Sequence, residues 1–158
     1  MTDDLLAPSV DPDRALLGVR RVSARNEARP RTVMMVRDHV IVTDEKETDT
    51  GATPLETTLA ALLGCEGVII NRCAEAMGFA YSAVDLEADG TVDQRGSRGV
   101  GGVRPYFQSV RMRVRVHTEE SDDRFARLRR NVEHRCPVMN LFRAADVALE
   151  VRWEKVAP

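Results

Sequence analysis

The chain has 158 residues, enough for one compact domain with its own core. Lys plus Arg total 23 and Asp plus Glu 25, a net charge of −2, so charge gives no general attraction to nucleic acid or to an anionic membrane. No apolar run nears the ~18 residues of a membrane span. The acidic start MTDDLLAPSVDPDR lacks a secretory h-region. Three cysteines make no disulfide framework in a chain this long, and a reducing, cytoplasmic setting is expected.

Residues 1–13, Asp-rich with Pro8 and Pro12, are expected to form a disordered lead-in to a single domain over 14–158. From Ala15 the pattern turns extended. Leu17 and Val19 alternate with less apolar neighbours, and RTVMMVRDHVIVTD is rich in strand formers. Two or three strands are expected, with a turn near Asn26 to Pro30. Glu45 to Ala52 reads as a polar loop.

Thr53-Pro54-Leu55-Glu56 carries an N-cap hydroxyl, a proline at the first helical position and a glutamate three residues after the cap. With Gly78 as the stop, this predicts a helix of about 24 residues, roughly 36 Å long. Leu55, Leu59, Leu62, Leu63, Ile69, Ile70, Cys73 and Met77 share one broad stripe, and Ala60, Gly64, Gly67 and Val68 lie opposite. A helix this apolar belongs in a core or a subunit interface. Glu66 falls in the stripe, where it suits an interface hydrogen bond, a ligand contact or a satisfied core carboxylate.

AYSAVDLEADGTV and YFQSVRMRVRVHT read as strands. The second alternates Val110, Met112, Val114 and Val116 with Arg111, Arg113, Arg115 and His117, the latter set as a solvated face. QRGSRGVGG between them is a Gly-rich loop without a P-loop lysine, so it is no phosphate cradle. A helix is expected over about 121–135, with Phe125, Leu128 and Val132 buried. A short helical turn, PVMNLFRAA, and a strand, DVALEVRWEK, complete the chain. Strands, helix, strands, helix, strand reads as α+β, with helices packed on antiparallel sheet.

The thiols carry the chemical signal. Cys65 sits at the edge of the apolar stripe, where partial access is expected, but in the third turn, where the helix dipole has faded. Its activation needs a separate cation. Arg72 is two turns away, roughly 10 Å, and Arg25, Arg29, Arg31 and Arg37 are the candidates. Cys136 lies between a helix end and Pro137. There its sulfur either faces unpaired backbone N–H groups that favour thiolate or is inert at a tight reversal. Cys73, mid-stripe and roughly 12 Å from Cys65, is core and cannot pair with it. The cysteines and histidines show no metal-ligand spacing, so no metal is expected.

TPLETTLAALLGC followed far downstream by HRCPVMN resembles the OsmC/Ohr family. There a proline opens the central helix eleven positions before one cysteine, as Pro54 does before Cys65. A second cysteine follows about seventy positions later, with Pro and Asn as in Cys136, Pro137 and Asn140. The resemblance runs from about Ala15 to Glu154. It implies an α+β OsmC-like fold, with antiparallel sheets packed around a long central helix in an intertwined homodimer.

It also implies a thiol peroxidase acting on organic hydroperoxides, with Cys65 peroxidatic, Cys136 resolving and no cofactor. A dithiol reductant, lipoyl or thioredoxin-like, would complete the cycle. The family's peroxidases carry a glutamate directly after the proline, where this chain has Leu55. Glu56, one step later, is a second supporting candidate beside Glu66, although a straight helix turns it about 180° from Cys65 and its capping role accounts for it. The alternative is a non-catalytic OsmC-like dimer that binds an apolar small molecule or serves as a stress-associated structural protein.

Overall fold

The computed structural model describes residues 5–158. They form two compact units, one of residues 8–58 and one of residues 59–158 joined by the start of the chain through Ala7. The division falls within a helix. The lead-in expected over 1–13 lies outside the described residues for its first four positions.

The first unit is a three-stranded antiparallel sheet of β1 (Ser23–Asn26), β2 (Thr32–Val36) and β3 (His39–Thr43), in that order. The turn falls where expected: the Asn26 amide donates to the Arg29 carbonyl at 2.5 Å and to the Thr32 hydroxyl at 3.0 Å, closing β1 onto β2. Arg37, at the β2–β3 turn, takes a φ of 55°, the left-handed region that tight reversals demand. Residues 15–22 form no strand: among the described residues no other strand pairs with them, and Leu16, Leu17, Val19 and Val22 stand exposed. The following loop folds back so that the Asp44 N–H donates to the Ala52 carbonyl at 3.1 Å. A Cβ on Gly51 would come within 2.8 Å of the Val42 carbonyl, so glycine is required there.

Helix α1 spans Pro54–Met77, the 24 residues that its end signals predict. The capping box forms in full. The Thr53 N–H donates to the Glu56 carboxylate at 2.7 Å, and the Glu56 N–H donates to the Thr53 hydroxyl at 3.3 Å. At the other end Gly78 has a φ of 56°. Its N–H reaches the Glu75 carbonyl and that of Phe79 reaches the Ala74 carbonyl, a Schellman closure with Phe79 buried beneath it.

The second unit continues with β4 (Ala83–Val92), a one-turn helix α2 (Gln94–Ser97), β5 (Phe107–His117), α3 (Asp122–Arg135), α4 (Pro137–Ala144) and β6 (Ala148–Val156). The helical turn α2 lies inside the segment expected to be loop. The Asp93 side chain caps it, accepting from the Arg95 N–H at 3.1 Å. The sheet order is β4-β5-β6, with β4 antiparallel to β5 and β6 parallel to it. The parallel pair corrects the expected antiparallel sheet. Its cause is the connection: α3 and α4 carry the chain back to the end where β5 began, as a parallel partner requires.

Val110, Met112, Val114 and Val116 of β5 are buried. They join Leu62, Ile69, Ile70, Cys73 and Ala74 of α1 with Leu128, Val132, Met139 and Phe142 in one core. On the other face Arg111 pairs with Asp89 at 2.9 Å, Arg115 with Glu87 at 3.0 Å and His117 with Asp85 at 3.0 Å, so the basic row meets an acidic row from β4. Leu6 ties the beginning of the chain to α3. Its N–H donates to the Asn131 side chain at 2.7 Å, and Arg135 donates to its carbonyl at 2.6 Å. Among the described residues, no helix is long and apolar enough to cross a membrane.

Candidate functional site

Two elements bring the site together within the second unit. Helix α1 presents Cys65 and Glu66 side by side. Cys136 serves at once as C-cap of α3 and N-cap of α4, with φ −69° and ψ 108°, the extended geometry that the following proline favours. Its N–H donates to the Val132 carbonyl at 2.9 Å, and its own carbonyl accepts from the Asn140 backbone at 3.1 Å and side chain at 2.9 Å. Asn140 also donates to the His134 carbonyl at 3.2 Å. The asparagine of the Cys-Pro-x-x-Asn pattern therefore works structurally, satisfying carbonyls left free at the end of α3.

Cys65 is partly exposed, as its edge position predicts, and Cys73 is buried in the core. The Cys136 thiol is fully buried, and the Cys65 thiol lies near enough to help raise its pKa. Two sulfurs far apart in sequence are thus neighbours, and both are free thiols.

Of the two settings expected for Cys136, thiolate-favouring or inert, its burial weighs against the first. The Met139 N–H lies toward it and favours the charge, but no side-chain cap hydrogen bond forms. Burial outweighs that one dipole and, with the Glu66 carboxyl and the Cys65 thiol beside it, pushes the Cys136 thiol far above the ordinary thiol range. Burial also raises the Cys73 thiol.

Glu66 is fully buried, and neither carboxyl oxygen has a partner in hydrogen-bond geometry among the described residues. Burial raises its pKa to about 7, countered by the Cys136 thiol and reinforced by the negative charge of Glu133. Arg143 lowers it only weakly, since that guanidinium is engaged with the Glu133 carbonyl at 2.7 Å and the Glu133 carboxylate at 3.8 Å. Glu133 and Arg143 carried no sequence signal, because only the packing of α3 and α4 brings them near Glu66. Glu56 is held in the capping box.

The candidate arginines lie in the first unit. Arg25 pairs with Glu27 at 3.1 Å, both largely exposed, and Arg25, Arg29 and Arg31 line one concavity of the sheet with Val33 and Met35. Arg37 is in the β2–β3 turn. Among the described residues, no group of three or more His, Cys, Asp or Glu is arranged to hold a metal ion.

This architecture is shared with known proteins. Residues 46–152 match the family model described as OsmC-like protein, and the chain belongs to that family. An OsmC-like protein from Mycoplasma pneumoniae has the same fold at 19% identity and a TM-score of 0.78, with 89% of this chain and 99% of that one covered. The organic hydroperoxide resistance protein OhrB of Bacillus subtilis is similar at 17% identity and a TM-score of 0.60, over 89% of this chain and 100% of that one. A protein from Legionella pneumophila described as an organic hydroperoxide resistance protein OsmC is similar at 13% identity and a TM-score of 0.61, over 89% and 98%. No curated protein matches the sequence.

Proposed function

We propose that the chain reduces organic hydroperoxides through Cys65 and Cys136. The observation that carries this reading is the juxtaposition of the two free thiols, one reachable from solvent and one buried beside it. The Cys65 thiolate attacks the O–O bond, releases an alcohol and becomes a sulfenic acid. Cys136 then displaces the hydroxyl, and a lipoyl or thioredoxin-like dithiol restores both thiols by exchange. The activating cation is one of Arg25, Arg29, Arg31 and Arg37. The hydroperoxide resistance proteins among the structural relatives support the same chemistry.

The working form is a homodimer. Leu17 is 92% exposed and Val40 58%, with Leu16, Val19 and Ile41 also exposed, apolar side chains that a second copy would cover.

The test is thiol titration before and after one equivalent of cumene hydroperoxide. Two thiols are lost, and a peptide map shows a 65–136 disulfide. Cys65→Ser abolishes the change, and Cys73→Ser leaves it intact. An unchanged thiol count refutes the peroxidase reading.

A further inference from the structure

Glu66 is a carboxyl on the apolar face of α1, fully buried and without a hydrogen-bond partner in proper geometry. Leaving a carboxyl so costs free energy, and an apolar residue of similar size would serve the packing better. A carboxyl kept there beside a thiol that itself resists ionisation needs a reason in chemistry. We infer that Glu66 is the proton acceptor for Cys136 when its sulfur attacks the oxidised Cys65, a claim that rests on the two-thiol reading above.

The step balances as follows. The Cys136 sulfur forms the S–S bond to Cys65 as the S–O bond of the Cys65 sulfenic acid breaks. Cys136 is oxidised and the sulfenic sulfur reduced. The thiol proton passes to the Glu66 carboxylate and on to the departing hydroxide, which leaves as water, and Glu66 is again a carboxylate. A buried thiol with so high a pKa is a poor nucleophile on its own. A base beside it that is half-ionised near neutral pH removes that obstacle.

The surroundings leave this role open. Around Glu66 the ionisable neighbours are Cys65 and Cys73 on its own helix, Cys136 at the α3–α4 joint, Glu133 on α3 and Arg143 on α4. Glu133 is paired with Arg129 at 2.8 Å, and Arg143 is turned to Glu133. Arg135 is occupied by the Leu6 carbonyl. None of these cations forms a direct ion pair with Glu66 that would fix it as a carboxylate.

The experiment is single-turnover closure of the 65–136 disulfide in the full-length protein across pH 5–9, in the native chain, Glu66→Gln and Glu66→Asp. Cumene hydroperoxide and the thiol oxidant diamide are used in parallel. With hydroperoxide, dimedone trapping follows the sulfenic acid and peptide mapping the disulfide. In Glu66→Gln the sulfenic acid forms at the native rate, closure slows by about 100-fold at pH 7, and the inflection near neutrality disappears. Glu66→Asp, which keeps a carboxyl, retains a pH inflection. Diamide gives the same Glu66 dependence without any peroxide. If hydroperoxide leaves the thiols intact but diamide closure still depends on Glu66, the relay stands and the peroxidase reading falls. Closure of Glu66→Gln at the native rate with an unchanged pH profile overturns the relay, as does failure of both oxidants to form the 65–136 bond.

Discussion

The two units solve the problem of apolar surface in opposite ways. In residues 59–158 the strands alternate cleanly, and helices cover one face of the sheet, so Val110, Val114 and Val116 lose all contact with water. In residues 8–58 strands β2 and β3 are rich in apolar residues, yet Met35, Val40 and Ile41 stand exposed, and the polar β1 is exposed throughout. The contrast teaches that composition alone does not distinguish a core strand from one that awaits a partner surface. What distinguishes them is whether the chain supplies a helix to lay across the strand.

Substitutions sharpen this contrast. The largest effect is expected in the helical unit: Ile70→Ala, at a fully buried position, lowers stability by about 2–5 kcal/mol in chemical denaturation. Next comes Glu66, whose effect depends on pH. Its folded pKa of about 7 stands above the 4.5 of an unperturbed glutamate, so the folded state holds the extra proton between those values. Stability therefore falls as pH rises from about 4.5 to 7 and levels off above, by about 3 kcal/mol at most. Denaturation of Glu66→Gln across the same range lacks that decline, and an identical decline in both proteins refutes the assignment.

The smallest intramolecular effect is expected in the hairpin unit. Val40→Ser with Ile41→Ser changes the stability of the isolated chain by no more than about 0.5 kcal/mol. The same pair shifts native mass spectra from dimer to monomer if this surface meets a second copy. A monomer in the unsubstituted protein refutes the dimer.

Much of the fold was legible in the sequence because its signals are local. Thr53, Pro54, Glu56 and Gly78 mark both ends of α1 to the residue, and Ser121 opens α3 as an N-cap that accepts from the Arg124 N–H at 3.3 Å. The direction of β6 was not legible, since Val147 to Trp153 alternate the same way in a parallel or an antiparallel pair and only the crossover decides. At the site the same division holds. The helical wheel separates the accessible edge of Cys65 from the core position of Cys73, and the structure agrees with both. The sequence leaves Cys136 open between thiolate-favouring and inert, because local backbone N–H groups are visible in sequence whereas burial in the core is not. Glu66 was visible as a charge in an apolar stripe, but its lack of a partner is a property of the packed molecule.

One residue closes α3 and opens α4, and this has a consequence for how the site is tuned. The Cys136 backbone is clamped from both sides by Val132 and Asn140, so its sulfur is aimed by the angle at which two helices meet. The bracing of that corner by Pro137, by Asn140 and by the grip of Arg143 on Glu133 sets the reach of the thiol as surely as its immediate neighbours do. A lineage can lengthen or shorten that reach by altering the elbow while every atom that touches the sulfur stays the same.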